Sequence, residues 1–344
     1  MITIIIAGGF GTRLWPISTP QYPKHLLKIN SDNLSLLQQT YERAKRLGNK
    51  IYVVSEEGHI KHVQDQLKEL PDSAFISEPA RRGTANCIIA ALIHIKDEIN
   101  LNEPIAILSA DHYIRDLDGF AHTFKVAGEI ASQYKQIALI GVEPNYPATG
   151  FGYIKKDKLL NNEHLVYSVH SFKEKPDFKT AKEYLKSSDY LWNCGYFVAS
   201  FDTFIKEMKQ YSTELYHNYQ KLLDSKKSFS KTYLDFNNQT IDYGLIERVK
   251  NLLVVPASFD WLDLGSYADL HKAVDNNELG NHIKGENIET FEIENSFIQN
   301  IEAKPLIVIG LDNVVVINTP NGILVTRKDL SQKVGELSKK FYDK

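Results

Sequence analysis

The chain has 344 residues, with 40 Lys and Arg against 43 Asp and Glu and a formal charge of −3. No basic excess is available to displace counterions from a phosphate backbone, which argues against a bulk-charge nucleic-acid binder. Hydrophobic residues at 43% and charged residues at 24% put the chain in the globular class and away from the disordered one.

The length suggests about two domains, enough to bury a core without disulfides or structural metal. Cys87 and Cys194 form no C-x-x-C pair, so neither a disulfide framework nor a zinc cluster is expected. No apolar run approaches about 18 residues, so no membrane helix is expected. The opening Met1-Ile2-Thr3-Ile4-Ile5-Ile6 lacks the basic start of a signal peptide, and a soluble cytoplasmic protein is expected.

In chain order, Ile2 to Ala7, Ile51 to Ser55, Ile105 to Ser109 and Ile137 to Val142 are short β-branched runs that read as strands. Helical stretches lie between them near Leu34 to Leu47, His59 to Leu70, Ala85 to Ile99 and Phe120 to Tyr134. The alternation predicts an α/β fold with a doubly wound, mostly parallel sheet, and ligands in such sheets sit beyond the carboxyl ends of the strands. After about residue 145 the rhythm loosens. Residues 146–152 read as a loop, Val166 to Glu174 as a strand, Phe178 to Ser187 as a helix and Phe197 to Ser200 as a strand. Residues 201–250 read as helical, with a solvated basic loop at Lys226 to Lys231.

A composition shift near residue 276 marks a boundary, giving a 1–275 domain and a small 276–344 domain of β-strands and a terminal helix. Asn321-Gly322 is a hairpin signal, because both residues tolerate positive φ. Leu330, Val334, Leu337 and Phe341 share one helical face, with Asp329 and Gln332 as a capping box. No hexapeptide repeat is visible, so no long β-helix is expected.

The first strand runs straight into Gly8-Gly9-Phe10-Gly11-Thr12-Arg13-Leu14-Trp15-Pro16. Glycines there let backbone N–H groups approach a phosphate chain. The loop is not a P-loop, which ends Gly-Lys-Ser/Thr, and the sixth position of a dinucleotide fingerprint is Leu14. Arg13 and Pro23-Lys24 bring two cations to its flanks.

These residues, with Ser18 and Tyr22-Pro23-Lys24, resemble the signature of the sugar-nucleotide pyrophosphorylases, and the Leu-Trp-Pro ending resembles the mannose-1-phosphate guanylyltransferases among them. Further segments match in order: Glu78-Pro79 with Arg82-x-Thr84-Ala85, Ser109-Ala110-Asp111-His112, Thr149-Gly150-Phe151-Gly152, Phe172-x-Glu174-Lys175-Pro176, Trp192-Asn193-Cys194-Gly195, Ile241-Asp242-Tyr243 and Trp261-Leu262-Asp263-Leu264-Gly265. The resemblance spans roughly residues 1–330. Thr19, His25, Gly83 and Tyr196 depart from the family pattern, which leaves the reaction class intact and opens the identity of the sugar and, to a lesser degree, of the base.

The resemblance implies a Rossmann-like nucleotidyltransferase that moves GMP from GTP to mannose-1-phosphate, releasing pyrophosphate, with Mg²⁺ as cofactor and no covalent intermediate. Two polyanions must meet, so cations are needed around the α-phosphorus. Arg13 and Lys24 are the candidates for the triphosphate, along with Gly8, Gly9, Gly11, Thr12 and Thr84 on the nucleotide side. Glu78 is the candidate reader of guanine, whose N1–H and amino group a carboxylate can accept together. Lys175 is the candidate cation for the sugar phosphate, held extended by Pro176. Glu174, Asn193 and Gly150 are assigned to the sugar side. Asp111 and Asp263 are the candidate Mg²⁺ ligands, a hard cation held by one or two carboxylates plus phosphates and water. His112 is expected to be oriented beside Asp111 rather than to bind metal.

A homodimer is expected by analogy, through the terminal helix and hairpin, with neither nucleic acid nor membrane as partner. Three other readings remain: another sugar-1-phosphate or nucleotide, a glycosyltransferase using Asp116-Leu117-Asp118, and a non-catalytic sensor of GDP-sugars. No second catalytic domain is expected from the residues that follow 275.

Overall fold

A computed structural model describes residues 1–9, 11–29, 33–225 and 228–342. Phe10 of the glycine loop and Lys226 and Lys227 of the expected basic loop lie outside the described residues. The chain forms two compact units, one from residues 1–8, 40–109 and 114–261, the other from 9–39, 110–113 and 262–344.

The elements up to residue 261 are β1 (Ile2–Ala7), α1 (Leu36–Lys45), β2 (Ile51–Glu56), α2 (Ile60–Gln66), β3 (Phe75–Glu78), α3 (Gly83–Ile95), β4 (Pro104–Ser109), α4 (Leu117–Tyr134), β5 (Ile137–Val142), β6 (Tyr153–Asn161), β7 (Val166–Lys173), α5 (Phe178–Leu185), β8 (Tyr190–Ser200), α6 (Phe201–Tyr211), α7 (Thr213–Asp224), α8 (Phe229–Leu234) and β9 (Leu252–Pro256). The nine strands make one sheet in the order β3-β2-β1-β4-β8-β5-β9-β7-β6. β3, β2, β1 and β4 are mutually parallel. Ile2 and Ile4 pack with Ile88 and Leu92 of α3 in the main core. Ile5 is equally buried and alternates to the other face. A strand buried on both faces is why β1 reads as a continuous apolar run.

The expectation of a mostly parallel sheet is corrected, because the sheet is mixed. β8 lies between β4 and β5 and is antiparallel to both. β7 pairs antiparallel with β6 and β9. The reason is physical: a buried apolar run such as Leu191 to Ala199 reads the same in either direction, so composition carries no strand polarity. The expected loop at 226–231 also ends early, since α8 begins at Phe229.

The second unit holds α9 (Tyr267–Ala273), β10 (His282–Gly285), β11 (Ile288–Phe291), β12 (Phe297–Asn300), β13 (Leu306–Ile309), β14 (Val314–Thr319), β15 (Gly322–Arg327) and α10 (Val334–Ser338). β10, β12 and β14 stack in parallel, as do β11 and β13 on a second face. Phe297 pairs with Val315 and Ile288 with Leu306 at the same sequence offset, so the chain coils as a short β-helix. Ile293, Ile298, Val308, Val314 and Val316 fill the coil. No hexapeptide repeat announces it, because so few turns need only apolar residues facing inward.

β14 and β15 form the expected hairpin, but Thr319 pairs with Gly322, so Pro320 and Asn321 are the loop. Positive φ falls on Gly322 and not on Asn321. A Cβ on Gly322 would meet the Trp15 ring at 2.6 Å. The terminal helix is broken into a 3-10 stretch Lys328–Lys333, α10, and a 3-10 turn Lys339–Phe341. Val334 is buried, while Leu330, Leu337 and Phe341 are exposed. The capping box does not form: Asp329 pairs with Arg327, and Gln332 accepts from Arg13.

Candidate active site

Within the second unit the glycine loop turns through left-handed backbone at Gly9 (φ 92°) and Gly11 (φ 64°), then a 3-10 turn Thr12–Leu14. Gly11 is glycine for a second reason: a Cβ there would lie 2.3 Å from Lys24 Cβ. The stem of Lys24 thus packs on the loop backbone.

Lys24 Nζ donates to Asp111 Oδ2 at 3.0 Å and to the backbone carbonyl of Asp263, and lies 3.5 Å from Asp263 Oδ1. A short antiparallel bridge aligns the two acids. Tyr113 N–H donates to the Leu262 carbonyl at 2.9 Å, and Leu262 N–H returns the bond at 3.0 Å. His112 Nε2 lies 3.9 Å from a carboxylate oxygen of each Asp. Burial pushes the Asp111 carboxyl up, but the Lys24 ammonium and His112 outweigh it and bring it down to about 2.

Leu264, fully buried after Asp263, has φ 43°, a strained conformation for a leucine and one that functional sites retain. Gly265 follows. A Cβ there would sit 3.1 Å from both Arg13 Nη1 and Asp263 Oδ2, so the guanidinium and this carboxylate border the same glycine. Arg13 is exposed, and its Nη1 donates to Gln332 Oε1 at 3.1 Å.

No group of three or more His, Cys, Asp and Glu side chains gathers for a metal among the described residues. Two carboxylates are nevertheless a fitting set for a hard dication that fills its other positions with water and phosphate oxygens. Lys24 supplies the positive charge between them, which marks the place as one that demands a cation.

The sugar-side candidates gather in the first unit. Lys175 Nζ lies 2.8 Å from Glu174 Oε1. Burial lowers the Lys175 ammonium, and its bond to Glu174 more than reverses that, leaving it raised. Pro176 does not hold Lys175 extended as expected: its φ is 44°. The left-handed turn places strain at this lysine as at Leu264. Asn193 Nδ2 donates to Asp242 Oδ1 at 2.9 Å, and Asn193 Oδ1 accepts from Gly195 N–H at 3.1 Å.

Asp242 is the residue that the candidate set missed. Burial and the Glu174 charge push its carboxyl up to about 6. It sits in a π-helical turn, Asp242–Ile246. Its place in Ile241-Asp242-Tyr243 was the available signal, but a lone Asp gives no sign of its neighbours. Among the described residues nothing lies within 4 Å of a Cβ at Gly150, whereas a Cβ on Gly152 would lie 2.5 Å from Glu174 Oε2, so Gly152 is the glycine that the Glu174 carboxylate requires.

Glu78 is buried, and one carboxylate oxygen accepts from the Tyr233 hydroxyl. Burial raises its pKa, and the Tyr233 bond offsets part of the rise. Thr84 Oγ1 accepts from the Ile241 N–H at 3.0 Å, which ties the first turn of α3 to the residue before Asp242. Gly83 departs from the family pattern for a visible reason, since a Cβ would fall 2.2 Å from the Gln239 carbonyl. Tyr196 packs against Phe120 and Phe124 in the interior.

The rival Asp116-Leu117-Asp118 motif is otherwise occupied. Asp116 caps α4 by accepting from Gly119 N–H at 2.9 Å, and Asp118 pairs with Arg46.

The family to which the chain belongs is that of the nucleotidyl transferases. The sequence model of the nucleotidyl transferase family matches residues 2–279, and that of the MannoseP isomerase/GMP-like beta-helix domain matches 286–341. The chain belongs, more narrowly, to the mannose-1-phosphate guanylyltransferases. It is 33% identical to a mannose-1-phosphate guanylyltransferase of Escherichia coli over 97% of this chain and 74% of that one. It is 32% identical to the mannose-1-phosphate guanylyltransferase RfbM of Salmonella typhimurium over 98% and 71%. The structure of a mannose-1-phosphate geranyltransferase from Thermus thermophilus superposes with a TM-score of 0.86 at 25% identity, covering 99% of both chains. Nucleotidyltransferases of this family generally use a divalent metal. No helix among the described residues is long and apolar enough to cross a membrane.

Proposed function

We propose that the protein transfers GMP from GTP to mannose-1-phosphate by direct in-line attack, with Mg²⁺ as its metal. A phosphate oxygen of the sugar phosphate forms a bond to the α-phosphorus of GTP as the bond to pyrophosphate breaks. Arg13 and Lys24 neutralise the triphosphate, with the backbone of Gly8, Gly9, Gly11 and Thr12 beside it and Thr84 on the nucleotide side. Asp111 and Asp263 hold the Mg²⁺, which supplies charge neutralisation at the phosphorus. Lys175 binds the sugar phosphate, and Glu174, Asn193 and the loop at Gly150 and Gly152 receive the sugar. Glu78 accepts from the guanine edge.

The observation that carries this reading is Lys24 Nζ between the side chains of Asp111 and Asp263, a cation already seated where two acids converge. The test is a pyrophosphate-release panel of nucleoside triphosphates against sugar-1-phosphates. GTP with mannose-1-phosphate is expected to give the highest kcat/KM. If that pair is inert while another turns over, the specificity is wrong. Nucleotide-sugar binding without pyrophosphate exchange would instead indicate a sensor.

The same reading takes the parallel strands as a doubly wound, Rossmann-like half-sheet, places the division between catalytic and accessory domains near residue 275, and assigns the enzyme to the cytoplasm, where GTP is available. It also takes the protein as a homodimer. Ile323 and Val325 on the edge strand β15 and Leu337 beyond it are exposed apolar side chains suited to a second copy. Light scattering of the purified chain checks this, and a monomer at micromolar concentration would overturn it.

A further inference from the structure

We infer that the segment 328–342 is part of the catalytic apparatus, with Gln332 and Gly335 acting as positioning residues that aim Arg13 at the triphosphate. The inference rests on the assignment of Arg13 to that role.

Among the described residues the glycine loop makes no hydrogen bond to the Arg13 guanidinium. Among the described residues nothing lies within 4 Å of where a Gly9 side chain would start, and the Arg13 side chain is exposed. An unrestrained arginine loses substantial rotamer entropy when it closes on a ligand. The 328–342 segment supplies the missing restraint from two directions. Gln332 Oε1 accepts from the guanidinium at 3.1 Å. The backbone of α10 lies directly on the arginine stem, since a Cβ at Gly335 would fall 2.6 Å from Arg13 Cγ and 3.4 Å from Arg13 Cα and N.

The chemistry of the partner matters. A carboxylate at 332 would orient the guanidinium but neutralise it. A neutral amide orients it and leaves its full charge for phosphate, so the group is preorganised without being quenched.

The same segment secures the loop on both sides of Arg13. Ser338 Oγ donates to the Thr12 carbonyl at 3.2 Å. Phe341 stacks on Trp15 with ring centroids 5.3 Å apart. Tyr342 donates its hydroxyl to the Ser18 carbonyl at 3.4 Å. The restraint is therefore a continuous brace along residues 12–18 and not one isolated hydrogen bond.

The test is a double-mutant cycle on the full chain, read as GTP affinity by titration calorimetry with Mg²⁺ present, so that no turnover is needed. Gln332→Ala is expected to weaken GTP binding about three- to tenfold in the wild-type background and to have no further effect in an Arg13→Ala background. In steady-state assays Gln332→Ala is expected to raise KM for GTP and leave KM for mannose-1-phosphate unchanged. Gly335→Ala, which displaces the arginine stem, is expected to reproduce this pattern.

Equal losses of GTP affinity in both backgrounds, equal rises in both KM values, or wild-type affinity in Gln332→Ala would each overturn the positioning role. An Arg13→Ala enzyme with wild-type GTP affinity would overturn the assignment of Arg13 itself, and the inference with it.

Discussion

Asn193 donates its side-chain amide to Asp242 at 2.9 Å, and so holds a half-buried carboxylate beside a second acid, Glu174, in the cluster that also contains Lys175. Two acids and one lysine leave this cluster short of positive charge, and that shortage has a measurable pH signature. The Asp242 carboxyl lies at about 6, above the ordinary value of 3.8. The folded state therefore binds the proton more tightly than the unfolded state, and stability falls as pH rises from about 4 to about 6. Asp242→Asn removes this penalty. The variant is expected to be more stable than wild type at pH 7.5, by about 1–3 kcal/mol, with the gain gone at pH 4. Thermal melts of both proteins at the two pH values check it, and a destabilised variant at pH 7.5 contradicts it. Affinity for mannose-1-phosphate is expected to fall, the exchange of stability for function that active sites show.

Lys24 gives the Asp111 and Asp263 pair a resident counter-charge, so chelation is expected to abolish activity while barely moving Tm. Lys24→Met takes that charge away and leaves two acids facing each other. Its Tm is then expected to rise on adding Mg²⁺ by several degrees more than the wild-type Tm does. A Tm response equal in the two proteins would separate Lys24 from the metal position.

Lys175→Ala is expected to raise KM for mannose-1-phosphate by about tenfold or more, with KM for GTP close to wild type, since a charge-assisted bond to phosphate is lost. Asp118→Ala is expected to stay within about twofold of wild type, because its carboxylate meets Arg46 at the surface. The glycosyltransferase reading requires the opposite pair of results, so one assay of both variants decides.

Gly152→Ala places a methyl 2.5 Å from Glu174 Oε2, and Gly11→Ala places one 2.3 Å from Lys24 Cβ at φ 64°. The first is expected to weaken sugar-phosphate binding selectively. The second is expected to cost about 1–3 kcal/mol of stability and to impair GTP use. Kinetics of each variant against both substrates check the division, and identical defects in the two would contradict it.

Glu78 has a protein partner in Tyr233, so Tyr233→Phe frees one carboxylate oxygen in a buried setting. If Glu78 reads guanine, Glu78→Gln lowers the preference for GTP over ATP by about tenfold, because an amide presents one acceptor where a carboxylate presents two. Unchanged base preference with lowered Tm would assign Glu78 to the interior alone.

Local chemistry was legible in the amino-acid sequence. β1 is a buried run because Ile2 through Ala7 can only be satisfied with both faces covered, and glycines at 9 and 11 are needed where the backbone turns left-handed. Polarity and company were not legible. Nothing in Leu191 to Ala199 says that β8 runs against β4, and nothing in Ile241-Asp242-Tyr243 says that a second acid raises its pKa. Nor does Lys175 before Pro176 announce a positive φ. Those depend on which distant segments are brought within a few ångströms, where charge and close packing act and sequence separation counts for nothing. The chain's own order thus settled which groups this protein carries, while the folded arrangement decided which of them meet: Lys24 with Asp111 and Asp263, Asn193 with Asp242, and Gln332 with Arg13.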